Sequence, residues 1–279
     1  MKEKLQGLSN LQQRVIAALI AVPFLLFCII YSDWTFYGLF VLIAVLAQLE
    51  FYKLVGLDGN EPLTYYGTFC GFVLVTATFL IEKGLIAESN YYILSPLLAF
   101  IFFIKLYKAE DEKPFKNIAY TFLGIIYVAL PFALMIILAF VTPDNVFSWQ
   151  RPLGCLLLLW ASDTGAYFAG TRFGKTKLFE RVSPKKSWEG SIGGFVSAML
   201  VALVLSHFYE DLQAWQWYVC GAIIVVAGTY GDLVESLFKR SIKIKDSAST
   251  IPGHGGFLDR FDGLLLSLPF IIPFLKMFS

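Results

Sequence analysis

Long apolar runs broken by short charged loops set the pattern of this chain. Nine runs stand out, at residues 14–31, 34–53, 63–81, 91–107, 118–141, 152–170, 190–208, 215–239 and 258–278. Each is near or above the roughly 17 residues that cross hydrocarbon as a helix. The sixth and eighth carry internal acids and are expected to fail a strict hydropathy cut. The pattern predicts an all-α polytopic membrane protein of about nine helices. Residues 1–141 would hold helices 1–5, and residues 142–279 helices 6–9 with two basic loops between them. The first run ends in Tyr31-Ser32-Asp33-Trp34 without a small-x-small cleavage pattern, so it reads as a retained helix.

Composition agrees with the pattern. Of 279 residues, 57% are hydrophobic and only 15% charged, against about 25% charged in soluble domains. A net charge of +1 says little, but its distribution says more. With a cytoplasmic N-terminus, nineteen of the 22 Lys and Arg fall on the cytoplasmic side, leaving Lys83, Arg151 and Lys276 outside. That bias obeys the positive-inside rule and puts the C-terminus outside. Trp34, Trp149, Trp188, Trp215 and Trp217 lie at segment ends, as interfacial belts require. Cys28, Cys70, Cys155 and Cys220 all sit in apolar runs, without metal-ligand spacing, and read as small buried hydrophobes.

Candidate chemistry concentrates in two basic cytoplasmic loops. The first, Gly170 to Gly194, reads GTRFGKTKLFERVSPKKSWEGSIGG and follows a helix bearing Asp163. The second, Ser236 to Asp262, reads SLFKRSIKIKDSASTIPGHGGFLDRFD and follows a helix bearing Asp232 and Glu235. On a helix, Asp232, Glu235, Ser236 and Lys239 share one face. Acids within a membrane segment are costly and mark function by default. Carboxylates at both ends of a basic, glycine-bearing loop suit a divalent cation bridging phosphates. Lys and Arg supply the remaining positive charge, and the last helix offers its N-terminal N–H groups to an anion.

Asp259 and Asp262 sit in that helix's first turn. Alone they would merely complement the helix dipole; with Asp232 across the loop they read as metal ligands. His254, among Gly253, Gly255 and Gly256, is either a hydrogen-bonded spacer or a donor to a phosphate oxygen. Glu50 and Gln48 read as a buried helix–helix hydrogen bond rather than ligands. Gly190, Gly193 and Gly194 read as a close helix contact. His207, at the outer end of a run, reads as inert. No GxxxxGK[ST] loop is present.

The stretch S-L-F-K-R-x4-K-D-S-A-x2-I-P-G-H-G-G-F-L-D-R-F-D resembles the signature of the phosphatidate cytidylyltransferase, or CDP-diacylglycerol synthase, family. The D-T-G-A-Y…G and S-P-K-K-S-W-E-G elements, Asp163 to Gly190, resemble it too. Ala248 stands where Gly is as frequent, a small departure.

The resemblance implies transfer of CMP from CTP to phosphatidic acid, giving CDP-diacylglycerol and pyrophosphate for phospholipid biosynthesis. It implies Mg2+, with room for a second cation, and a homodimer in a bacterial inner membrane, with its polar cavity open to the cytoplasm and to lipid. Family metal-binding acids map onto Asp232 and Asp259, with Asp262 supporting. Lys239, Arg240, Lys245 and Arg260 would neutralise phosphates. Lys185 and Lys186 would close over the nucleotide, with Ser183, Ser236, His254 and Asp163 completing the substrate site. No nucleic-acid partner is expected. Two rivals stay open: a CTP-dependent lipid kinase, and a cation transporter using Asp163, Asp232 and Asp259 as a relay.

Overall fold

A computed structural model describes residues 10–142, 146–244 and 256–278, with side chains from residue 19 onward. The helices are α1 (Asn10–Tyr31), α2 (Asp33–Gly56), α3 (Thr64–Glu82), α4 (Glu88–Leu106), α5 (Pro114–Phe140), α6 (Gln150–Phe173), α7 (Trp188–Phe208), α8 (Ala214–Ser241) and α9 (Leu258–Phe278). Each matches one run read from the sequence. Seven of them, α2–α5 and α7–α9, are long and apolar enough to cross a membrane. α6 is not among them, as its acid and polar C-terminal half foreshadow. α8 is among them despite Asp232 and Glu235, contrary to expectation, because its first half carries no charged residue.

Local signals fix the boundaries. Ser32 caps α2 by accepting from Thr35 N–H, and Thr35 Oγ1 accepts from Ser32 N–H in return, a reciprocal box that satisfies two orphan donors. Pro114 opens α5, where its missing N–H costs nothing. Ser187 caps α7 by accepting from Gly190 N–H. One feature departs from an all-helical reading: Lys177–Phe179 (β1) pairs antiparallel with Ser183–Ser187 (β2) as a small hairpin in the first basic loop. Its role is positional, since β2 runs directly into α7.

Small residues bring the second half together. Where α6 meets α7, a Cβ on Gly193 would lie 2.9 Å from Gly165 O, and one on Gly194 2.8 Å from Ser162 O. The close contact expected of Gly190, Gly193 and Gly194 is therefore present. α8 meets α9 as tightly, through Gly231 against the Asp262 carbonyl. The main core joins α2, α5, α6, α8 and α9 around Phe36, Phe40, Phe51, Met135 and Leu268. All four cysteines are buried.

Trp217 belongs to that core and is fully buried beneath Gly154. It is therefore no interfacial anchor, because the indole fills the space a glycine leaves between α6 and α8. Trp34, Trp188 and Trp215 remain exposed, as belts require.

Ion pairs tie the helix ends. Lys83 bridges Asp33 at 2.5 Å and lies 4.6 Å over the Trp34 ring. Arg151, buried, donates to Asp211 O at 3.0 Å. On the opposite side Lys105, fully buried, bridges Asp111 and donates to Glu61 O at 2.6 Å. Asn117 donates to the same Asp111 at 2.7 Å. That network locks the α2–α3 and α4–α5 loops together.

Candidate active site

The site grows from one face of α8. Positions i, i+3, i+4 and i+7 of a helix align, so Asp232, Glu235, Ser236 and Lys239 form a ladder. Ser236 Oγ lies 3.4 Å from Asp232 Oδ1, and Lys239 Nζ lies 3.3 Å from Glu235 Oε1. Lys239 also donates across to Asp259 Oδ1 on α9 at 3.0 Å. One ammonium group thus joins acids from two helices. Glu235 is almost wholly buried; the side chains of Lys239 and Asp259 are 14% and 18% exposed. Leaving such carboxylates uncompensated at this depth would be strongly destabilising.

A second pair closes the site from the first basic loop. Lys186, on β2, bridges Asp232 Oδ2 at 2.6 Å and donates to Thr229 O at 3.3 Å. The Asp232 side chain is 43% exposed, so this edge is open to an incoming group. Asp163 on α6 feels the charges of Asp232, Lys186 and Arg260. Asp262 feels those of Asp232 and Asp163, and its Oδ1 accepts from Gly263 N–H at 2.7 Å. α6, β2, α8 and α9 therefore bring Asp163, Lys186, Asp232, Lys239, Asp259, Arg260 and Asp262 together.

Other expected residues stand further out. Lys185 is exposed on β2, and Ser183 is half-buried at its start. Arg240 is exposed and donates to Ile244 O at 3.4 Å. Lys245 and His254 lie outside the described residues.

Sequence reasoning undervalued the first half of the chain here. Glu50, buried on α2, accepts from Phe257 N–H at 2.9 Å, just ahead of α9. A side chain at Gly256 would collide with that carboxylate. Asp259 Oδ2 accepts from Gly256 N–H at 3.2 Å. The entrance to α9 is thus gripped from both sides, which sets the direction in which Asp259 points. Gln48 donates to Gly67 O at 2.9 Å, the helix–helix bond expected of it. Glu50 also serves helix packing, but its partner is the glycine-bearing turn itself. An acid facing the basic loop was the one available signal.

Among the described residues no group of three or more His, Cys, Asp or Glu side chains is arranged to hold a metal ion. Instead, the ammonium groups of Lys186 and Lys239 lie against Asp232 and Asp259. Carboxylates already paired with positive charge are chemically suited to exchange it for Mg2+, which uses one or two carboxylates plus substrate phosphates and keeps several waters.

Comparison with known proteins decides the family. The family model described as "Cytidylyltransferase family" matches residues 12–278. The chain belongs to this family. It is similar to the phosphatidate cytidylyltransferase of Haemophilus influenzae, at 34% identity over 95% of this chain and 98% of the relative. It resembles that of Thermotoga maritima at 31% identity, over 94% and 95%. A third, from Staphylococcus haemolyticus, is 35% identical over 64% of this chain and 67% of its own length. The protein is a nucleotidyltransferase.

Proposed function

We propose that the enzyme transfers CMP from CTP to phosphatidic acid, giving CDP-diacylglycerol and pyrophosphate, with Mg2+ required and the site facing the cytoplasm. The observation that carries this is Lys239 shared between Glu235 and Asp259, with Lys186 on Asp232 beside it. Exchangeable positive charge is what a reaction between two phosphate compounds needs. Nucleotidyl transfer depends on positioning and charge neutralisation more than on covalent help.

The phosphate of phosphatidic acid, already anionic near neutral pH, needs no strong base. Its oxygen forms a bond to the α-phosphorus of CTP as the bond to the bridging oxygen breaks, and pyrophosphate leaves with that electron pair. Asp232 and Asp259, with Asp262 in support, would hold Mg2+, which supplies charge neutralisation at the α-phosphate and leaving group. Lys186 and Lys239 turn from carboxylates to phosphate oxygens, and Lys185 and Arg260 add positive charge at the rim. Arg240, Lys245 and His254 belong to the same basic loop. Ser183 and Ser236 offer hydroxyls, and Asp163 orients Lys186. The acyl chains stay in the bilayer. A homodimer is part of the proposal.

The test is a detergent-micelle assay with labelled CTP and phosphatidate, with and without Mg2+. Labelled CDP-diacylglycerol and pyrophosphate, formed only with the cation, are expected. Release of CDP and a phosphorylated lipid would replace this reading with a lipid kinase. Near-normal turnover in Asp259→Asn would remove the metal assignment.

A further inference from the structure

α5 is not a regular helix. Gly124–Ala129 form a π-helical turn between two α-helical stretches, an insertion that frequently marks functional positions. Its cause is visible: the Tyr52 ring packs against Gly124, and Tyr52 OH donates to Thr121 O at 2.7 Å. The widened turn carries Tyr127. Its ring sits 6.3 Å from that of Phe51, which stacks at 5.1 Å on Phe238 of α8. Further along α5, Phe132 packs on Phe261 of α9 at 5.6 Å. The bulge therefore faces the crossing of α8 and α9, and the charges that act on Tyr127 are Glu235, Asp262 and Asp232.

The Tyr127 hydroxyl is buried and has no hydrogen-bond partner among the described residues. Glu235 Oε1 is in the same state: within ion-pair reach of Lys239 but not aligned for a hydrogen bond. A buried donor and a buried acceptor thus both lack a hydrogen bond, and Glu235, which lies against Lys239 and the acids Asp259 and Asp262, is the foremost charge acting on Tyr127. Native interiors rarely tolerate this without a reason.

We propose that Tyr127 is a positioning residue, whose hydroxyl donates to the Glu235 carboxylate once substrate phosphates draw Lys239 away. Tyr127 then keeps Glu235 compensated and in place while Asp259 is freed for the reacting groups. This rests on the reaction proposed above.

The experiment compares Tyr127→Phe, Glu235→Gln and the double variant in the full-length enzyme. The phenylalanine keeps the ring packing and removes only the hydroxyl. Expected for Tyr127→Phe are a kcat about tenfold lower, as loss of a hydrogen bond to a charged group implies, and unchanged KM values for CTP and phosphatidate. Its Tm without substrate should be equal or higher, because an unsatisfied buried polar atom has gone. In the Glu235→Gln background the same change should have little further effect on kcat, as coupled residues require. A lowered Tm would overturn the proposal by itself, since the hydroxyl would then already be partnered at rest. Wild-type kcat, or additive losses in the double variant, would also overturn it. Failure of the proposed reaction shows separately, as absence of CMP transfer in the wild type, while the Tm comparison needs no turnover.

Discussion

The tight crossing of α8 and α9 makes a graded test with three glycines on one helix. A methyl at Gly231 would overlap the Asp262 carbonyl oxygen and lie 3.1 Å from both the Asp262 carbonyl carbon and Gly263 Cα. Carbon contacts are comfortable near 3.5–4.0 Å, so the helices must part by roughly 0.5–1 Å. The obstacle is backbone, which cannot rotate away. Overpacking of this kind costs about 1–3 kcal/mol, partly offset by up to about 1 kcal/mol of helix propensity for Gly→Ala. The net loss of stability is therefore modest. Activity should fall much further, because a displacement of about 1 Å in a positioned site can cost about 100-fold. At Gly228 the same methyl finds ordinary contacts, 3.5 Å from Leu159 Cδ1 and 3.6 Å from Ser267 Oγ. At Gly221 it meets Met199 Cε at 2.8 Å, the movable end of a flexible chain. Tm and kcat of the three alanine variants would be measured side by side in detergent. Gly231→Ala should lose kcat out of proportion to Tm, and the other two should stay near wild type. If Gly231→Ala matches Gly228→Ala in turnover, the crossing does not set the carboxylate positions.

Four further outcomes follow from the geometry. Lys239→Met removes the ammonium group that Glu235 and Asp259 share; Tm should fall and turnover be lost, with Tm partly restored by adding Glu235→Gln. Asp111→Ala strands the buried Lys105 ammonium and should cost on the order of 3 kcal/mol; kcat per folded molecule, measured after thermal challenge, should hold. Glu50→Ala removes the acceptor of Phe257 N–H and should cut kcat/KM for CTP about tenfold through the loosened entrance to α9, an estimate set by one buried hydrogen bond to a charged group. Mg2+ and CTP added together should raise Tm by more than the sum of their separate effects, whereas saturation by Mg2+ alone would contradict a site that shares its cation with substrate phosphates.

Helix positions were legible because bilayer crossing imposes length and apolarity on a segment independently of its neighbours, and seven helices meet that demand among the described residues. The α8 ladder was legible for a similar reason: Asp232, Glu235, Ser236 and Lys239 follow from helical periodicity alone. Lys186 against Asp232 and Lys239 against Asp259 are different. The structure brings these residues together, but their pairing depends on a hairpin and a helix crossing that no local rule specifies. Trp217 misled because position at a segment end says nothing about the space Gly154 vacates opposite. Glu50 and Tyr127 were hardest to see. Glu50 lies 207 residues from Phe257 and Tyr127 108 residues from Glu235, and a lone acid or tyrosine in an apolar run has no periodic signature. The π turn that aims Tyr127 arises from Tyr52 seated against Gly124, a tertiary cause.

Charge balance ties these pieces together. Asp163, Asp232, Glu235, Asp259 and Asp262 meet at the cytoplasmic end expected of α6, α8 and α9, and acids so close to the membrane interior demand compensation. Lys186 and Lys239 provide it in this structure. A nucleotide triphosphate and a lipid phosphate would bring excess negative charge that competes for those same lysines. A lysine shared between carboxylates can move to a phosphate at low net cost only if something else then faces the acids. For Asp232, exposed at the edge, and the half-buried Asp259, the proposed divalent ion carried in with the nucleotide would do so. For Glu235, almost wholly buried, the proposed compensation is the hydroxyl of Tyr127. On the proposed reaction, the two halves of the chain therefore serve different steps of one exchange of charge.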